Sequence, residues 1–174
     1  MRDSVMKHPD SLSLEAVRDE PVRFACALPV AVSTIDREPL RSLSPLELSG
    51  EISRIDGGYA LDARLVYGGE LECSRCLALY PFREDETFSL VLYPRERQPA
   101  AEVDVLYYDE PVVLLSAIAE ERVQMAFPMK PLCRTDCKGL CADCGNDLNQ
   151  GPCACAPETI DPRWEALKAL KEKV

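Results

Sequence analysis

Six of the nine cysteines in this 174-residue chain fall between positions 131 and 155, in "PLCRTDCKGLCADCGNDLNQGPCAC", and two more stand upstream in "ECSRC". Thiolates bind zinc at about 2.3 Å in a tetrahedron, and cysteines spaced two to four residues apart on tight turns can converge that closely. Cys73 and Cys76 form one C-x-x-C, and Cys141 and Cys144 form another, followed by Gly145. Cys133 and Cys137 are separated by three residues, and Cys153 and Cys155 by one. Gly139, Gly145 and Gly151, with Pro131 and Pro152, mark the segment as turns throughout. Such a stretch has no apolar run with which to bury a core, so metal is the expected source of its order. Cys26, in the apolar run "VRFACALPV", reads as a small core residue and stays outside any site.

Eight clustered cysteines suit two four-thiolate zinc sites. One grouping sets Cys73 and Cys76 with Cys133 and Cys137, leaving Cys141, Cys144, Cys153 and Cys155 to close a local loop. A rival grouping pairs the two C-x-x-C knuckles as a zinc ribbon, with the other four cysteines in a second site or in none. The spacing leaves both open. It matches no common ferredoxin run, although all-cysteine ligation also suits an iron–sulfur cluster. The alternative for the same residues is a thiol or redox-switch protein using the C-x-x-C motifs. That role asks for an exposed thiol of low pKa, usually at a helix N-terminus, whereas Cys73 and Cys76 read as strand-like sequence.

The inventory argues against catalysis. His8, in the polar N-terminal stretch, is the sole histidine, so neither a Ser–His–Asp nor a Cys–His arrangement can be assembled. Hydrolytic zinc sites keep an open position and use histidine or carboxylate, while all-thiolate sites are closed. Neither G-x-x-x-x-G-K-[ST] nor G-x-G-x-x-G occurs. The acids at 84–86 and 120–121 read as solvated faces. The expectation is a protein that is not an enzyme.

Charge points to the kind of partner. The net charge is −10, and residues 43–127 carry 16 acids against 7 bases. That surface repels phosphate and attracts basic partners. The Cys-rich stretch is neutral, with Lys130, Arg134 and Lys138 against Asp136, Asp143 and Asp147. With Arg75, those three cations form a modest candidate RNA contact, although the chain shows no basic stripe or known RNA-binding motif. No apolar run approaches the roughly 20 residues of a membrane span, and the opening "MRDSVMKHPDSLSLEA" has no signal-like apolar region. The cytoplasm is the expected compartment.

The elements that must position the cysteines follow from periodicity. Residues 1–20 are polar and unpatterned and are expected to form a flexible N-terminus. A β-rich body spans 21–130. In it "LELSGEISRI" places Leu46, Leu48 and Ile52 among polar residues with Gly50 breaking the phase. "DGG" at 56–58 is a hairpin signal, and "YALDARLVY" alternates. "GGE" at 68–70 reads as a second break, "LECSRCLALYPF" as extended, and "ETFSLVLYP" as a strand. A charged loop covers 95–104. Helical spacing over 111–127 sets Leu114, Leu115, Ile118, Arg122 and Met125 on one face, with Pro111 in the first turn and Pro128 ending it. The Cys-rich loop covers 131–156. A short amphipathic helix closes the chain over 157–174, capped by Asp161, with Trp164, Leu167 and Leu170 on one side. The fold class is α+β, an antiparallel β-meander or small open barrel with a packed helix, a Cys-rich metal-binding loop and a short C-terminal helix.

The order of these features resembles the YceD family, the large ribosomal RNA subunit accumulation proteins. The resemblance is carried by "LECSRCL", a helix running into "FPMKPLC", then "DCKGLCADCGNDLNQGPCAC" and "DPRWEALKAL". It covers most of the chain. It implies a ribosome biogenesis factor without known catalytic activity that supports accumulation of large-subunit (23S) ribosomal RNA, with a ribosomal protein or pre-ribosomal RNA as partner. The family's knuckle falls on Cys73 and Cys76. Its C-terminal cluster falls on Cys133, Cys137, Cys141, Cys144, Cys153 and Cys155.

Overall fold

Alternating apolar residues at period two present one buried and one wet face, and the chain uses them to build a single-faced sheet. The computed structural model describes residues 10–35, 38–96 and 104–155. The strands are β1 (Ser11–Ser13), β2 (Val22–Leu28), β3 (Leu40–Leu43), β4 (Leu46–Ile55), β5 (Gly58–Glu72), β6 (Leu79–Pro94), β7 (Val105–Tyr108) and β8 (Val112–Leu114). The helices are the single turn α1 (Val32–Ile35) and the longer α2 (Leu115–Ala126). The main sheet runs β2-β4-β5-β6-β7, with β3 also pairing β5, and it is open rather than closed into a barrel. Its pairs are antiparallel except the last, β6 with β7, which is parallel. No helix among the described residues is long and apolar enough to cross a membrane.

The inward faces of β4, β5 and β6 supply Leu46, Leu48, Ile52, Leu61, Leu65, Leu90 and Leu92, all buried. Against them pack Leu115, Ile118, Ala119 and Val123 of α2. The expected helical face shifts accordingly. Leu114 and Met125 point to solvent, while Arg122 lies along the sheet with its guanidinium 4.7 Å from the Phe88 ring centre and 3.2 Å from Asp104.

Several sequence expectations give way here. Residues 10–17 are no part of a flexible tail: β1 pairs with β8, and Leu12, Leu14 and Val17 are buried in the core. The helix does not begin at Pro111. The β-branched pair Val112–Val113 prefers an extended, packed backbone and forms β8, so α2 starts at Leu115. Its end falls where expected, because Phe127 precedes Pro128 and is held extended. Gly50 keeps the phase, since it shares the inward parity of Leu46, Leu48 and Ile52. The "DGG" hairpin does form, with Ile55 opposite Gly58.

The "GGE" at 68–70 does not break the chain, and this matters most for the cysteines. β5 continues through it for 15 residues, and β6 for 16, paired along almost their whole length. At Gly68–Gly69 the neighbour on the other edge of β5 changes from β4 to β3. The glycines serve close approach: a Cβ on Gly69 would collide with the Ser42 carbonyl. The result is a long hairpin whose tip, residues 73–78, extends beyond β4. Within "LECSRCLALYPF" the two ends are extended, in β5 and β6, while residues 73–78 form the turn. An edge-to-face series, Tyr67 to Phe82 at 6.1 Å and Phe82 to Phe127 at 6.4 Å, ties this part of the hairpin to the end of α2.

The expected C-terminal helix over 157–174, His8 and residues 97–103 of the charged loop lie outside the described residues. Replacing Gly69 with valine is expected to lower the stability of the chain by about 2 kcal/mol, because β3 must move off its register. Equilibrium unfolding in urea checks this.

Candidate metal centre

A C-x-x-C turn converges two sulfurs only if the backbone folds back beneath them. At the hairpin tip the Cys73 N–H donates to the Ala78 carbonyl (3.0 Å) and the Leu77 N–H to the Cys73 carbonyl (2.9 Å). The second knuckle repeats the pattern, with the Cys141 N–H on the Asn146 carbonyl (2.8 Å) and the Gly145 N–H on the Cys141 carbonyl (2.9 Å). Both need a left-handed residue at the same place. Gly145 has φ +72°, and Leu77 has φ +59°. Leucine there carries about 1 kcal/mol of backbone strain that glycine would not.

The chain leaving α2 passes alongside the tip, where the Ser74 N–H donates to the Pro131 carbonyl at 2.9 Å. This brings Cys133 and Cys137 over the first knuckle. Cys73 and Cys137 sulfurs stand 3.8 Å apart, and Cys76 and Cys133 sulfurs 3.7 Å. All four lie within 4.8 Å of one another, as do those of Cys141, Cys144, Cys153 and Cys155. In the second set the Cys141 and Cys153 sulfurs are 3.5 Å apart. No cysteine is in a disulfide. Four thiolates around a metal at about 2.3 Å make a tetrahedron with edges of about 3.8 Å, so both sets have the right size and donor chemistry to hold a metal ion. Of the two groupings open from spacing, these sulfurs form the first. The two C-x-x-C pairs are not brought into one set.

The sets differ in setting. Cys73 and Cys137 are fully buried and form a small apolar cluster with Cys76, Tyr80, Leu132 and Leu140. The second set is open, with Cys144 exposed. Burial opposes ionisation of Cys73, but backbone N–H groups of Cys133, Cys76 and Arg75 outweigh it and hold the thiol at about 6. The Cys144 and Asp143 backbone N–H groups, helped by neighbouring thiols, hold Cys141 at about 7. Cys133 is pushed up to about 12 by burial and by its thiol neighbours. Cys155 also rises to about 12, through Cys144 first and burial second. In the inner set Cys73 ionises readily while Cys76 and Cys133 resist, and in the outer set Cys141 ionises readily while Cys155 resists, the behaviour of like charges without a cation between them.

Cys26 lies apart in β2, with its sulfur 3.7 Å from the Leu48 carbonyl oxygen. The four candidate RNA-contact cations divide. Arg75 is exposed, and its guanidinium donates to the Cys137 carbonyl at 2.6 Å. Arg134 donates to the Asn149 side-chain oxygen at 2.7 Å and lies 3.5 Å from Asp136. Lys130 and Lys138 are exposed. Sequence reasoning missed Leu77, Asp147 and Asn149. The only signal for the last two was "NDLN", two polar residues flanking a leucine within a knuckle loop.

The profile described as "Large ribosomal RNA subunit accumulation protein YceD" matches residues 61–171. The chain belongs to the YceD family. The match begins in β5 and takes in the tip, α2 and all eight clustered cysteines. Uncharacterized proteins of Mycobacterium bovis and Mycobacterium tuberculosis are each 34% identical over 143 residues, 71% of this chain and 68% of theirs. One from Mycobacterium leprae is 32% identical over 99 residues, 55% of this chain and 45% of its own. No solved structure matches. The family is described by a role in large-subunit ribosomal RNA accumulation.

Because residue 77 is exposed and left-handed, Leu77→Gly is expected to keep or raise the thermal midpoint of the metal-loaded chain. Leu77→Val is expected to lower it, since β-branched residues tolerate that conformation least. Thermal unfolding of the two variants side by side checks the order.

Proposed function

We propose that this chain is a non-catalytic ribosome biogenesis factor, stapled by two zinc ions, that presents an acidic sheet surface to a basic ribosomal protein or an assembling large-subunit particle. The observation that carries the reading is the closure of both sulfur sets. Each brings four cysteine sulfurs within 4.8 Å of one another, and neither includes a histidine or carboxylate. Zinc in such a site supplies charge neutralisation and four strong bonds, and the ligands fill every position a substrate would need. Cys73, Cys76, Cys133 and Cys137 would fasten the hairpin tip to the chain leaving α2. Cys141, Cys144, Cys153 and Cys155 would close the outer loop.

The acid surplus supports the choice of partner. Arg23, Arg41, Arg64, Arg95 and Arg122 already face Glu51, Glu72, Asp85, Asp109 and Asp104 within the chain. The remaining excess of carboxylates therefore sets the sign of the surface. Opposite potentials mainly speed encounter and weaken with salt. The cytoplasm, where subunits assemble and thiols stay reduced, is the fitting compartment. A direct RNA contact is a second reading. Lys130 and Lys138 would carry most of it, because Arg75 and Arg134 are engaged within the metal region. The redox reading has less support at the inner set, since Cys73, held at about 6, is fully buried among four sulfurs; its remaining candidate is Cys141, held at about 7 in the more open outer set.

A tagged chain recovered from lysate at low salt is expected to carry a large-subunit ribosomal protein or precursor RNA, and to release it as salt rises. Substituting Lys130 and Lys138 with glutamate is expected to leave that recovery within about two-fold if a basic protein is the partner. It would abolish recovery and flatten the salt slope if RNA is bound directly. Recovery of neither class of molecule would reject the proposal.

A further inference from the structure

Asn149 belongs to the outer loop by sequence, lying between Cys144 and Cys153, yet its side chain reaches the inner sulfur set. Its side-chain nitrogen donates to the Cys137 sulfur at 3.4 Å and to the Asp147 carboxylate at 2.6 Å. Its side-chain oxygen accepts from the Lys138 backbone N–H at 2.8 Å and from Arg134 at 2.7 Å. Two donors on the oxygen fix which way the amide points, so the nitrogen is aimed at sulfur. Its own backbone N–H is held by Asp147 at 3.0 Å, and Gln150 grips the same carboxylate at 3.2 Å.

Among the described residues, the outer loop is also clamped to the inner region by backbone hydrogen bonds. The Leu148 N–H donates to the Gly139 carbonyl (2.9 Å) and the Leu140 N–H to the Arg75 carbonyl (3.1 Å), beside the Leu140–Asp147 bridge. The segment from 144 to 153 is otherwise turns, and the knuckle hydrogen bonds together with its four cysteines are what close it. An N–H donated to a metal-bound thiolate draws charge from the sulfur and fixes its orientation. Partners of this kind are worth about 10-fold to 100-fold in metal affinity.

We propose that Asn149 couples the two sulfur sets, so that metal held by Cys141, Cys144, Cys153 and Cys155 strengthens retention of metal by Cys73, Cys76, Cys133 and Cys137. The proposal rests on the zinc reading above. Closing the outer loop places the Asn149 donor against Cys137. Opening it withdraws that donor and loosens the Arg134 and Lys138 contacts around the inner set. Coupling between binding sites is reciprocal, so inner occupancy also favours outer closure. Asn149 is a positioning residue, acting on the metal only through Cys137.

The test is zinc release from the full-length zinc-loaded chain to a chromogenic chelator, pyridylazoresorcinol. The wild type is expected to release in two phases, the open outer set first and the buried inner set second. Asn149→Ala is expected to accelerate the inner phase about 10-fold or more. Cys155→Ser, which removes an outer ligand and touches no inner one, is expected to do the same. Combining the two should add little, because both remove one link. Asn149→Asp keeps the acceptor for Arg134 and the Lys138 N–H but turns a carboxylate toward sulfur, so it too is expected to speed inner release. An inner phase at the wild-type rate in Cys155→Ser, or in Asn149→Asp, overturns the coupling. A chain that arrives from purification without zinc, measured before chelator is added, overturns the metal reading instead.

Discussion

Mutual repulsion among thiolates is the constraint on which this structure turns. Two unit charges 3.8 Å apart, the separation of the Cys73 and Cys137 sulfurs, repel by about 4 kcal/mol at an effective dielectric near 20. A four-sulfur set contains several such pairs, and the inner one is withdrawn from water. The opposed shifts of Cys73 and Cys133 express this conflict within one cluster. A central cation converts the repulsion into four attractive bonds, and the loops can then hold a shape that their turn-rich sequence could not hold alone.

The sheet is built to deliver one half of the inner set. β5 and β6 outrun β4 and carry the first knuckle at their tip, with glycines at 68 and 69 where β3 replaces β4 alongside. The helix delivers the other half. Its apolar stripe packs on the sheet, Phe127 meets Phe82, and the chain turns at Pro128 toward Cys133. Tyr80 touches both the main core and the sulfur cluster, so the two regions share a wall. A metal held at the tip would in this way be linked to the same packing that holds the body together.

Much of this was legible in the residues, and the misses have physical causes. Thiol spacing gave two plausible partitions of the eight cysteines, and only the path of the hairpin and of the chain after α2 brings one of them together. Period-two alternation located β4, β5 and β6 because each has one wet face. Leu12, Leu14 and Val17 escaped notice since a three-residue strand and the short 3-10 turn Leu14–Ala16 carry too little periodicity to read. Val112 and Val113 fall inside the segment 111–127 that reads as helical, but their branching and pairing with β1 make them a strand. The "GGE" stretch looked like a turn because glycine usually signals one; here it permits close approach within a continuous strand. Arg75 reads as a candidate RNA contact, and its bond to the Cys137 carbonyl depends on a fold-back no spacing rule contains. Asn149 was hidden for the same reason.

Membership of the YceD family sets the biological frame, and under the proposed reading the two sulfur sets and the acid-rich sheet would serve docking. X-ray absorption at the zinc edge of the native chain, purified without added metal or chelator, tests the central claim most directly. The account predicts a first shell of sulfur alone, about four atoms at about 2.3 Å, with two ions per chain. A shell containing nitrogen or oxygen, or a chain without bound metal whose residues 131–155 still resist protease, would contradict it.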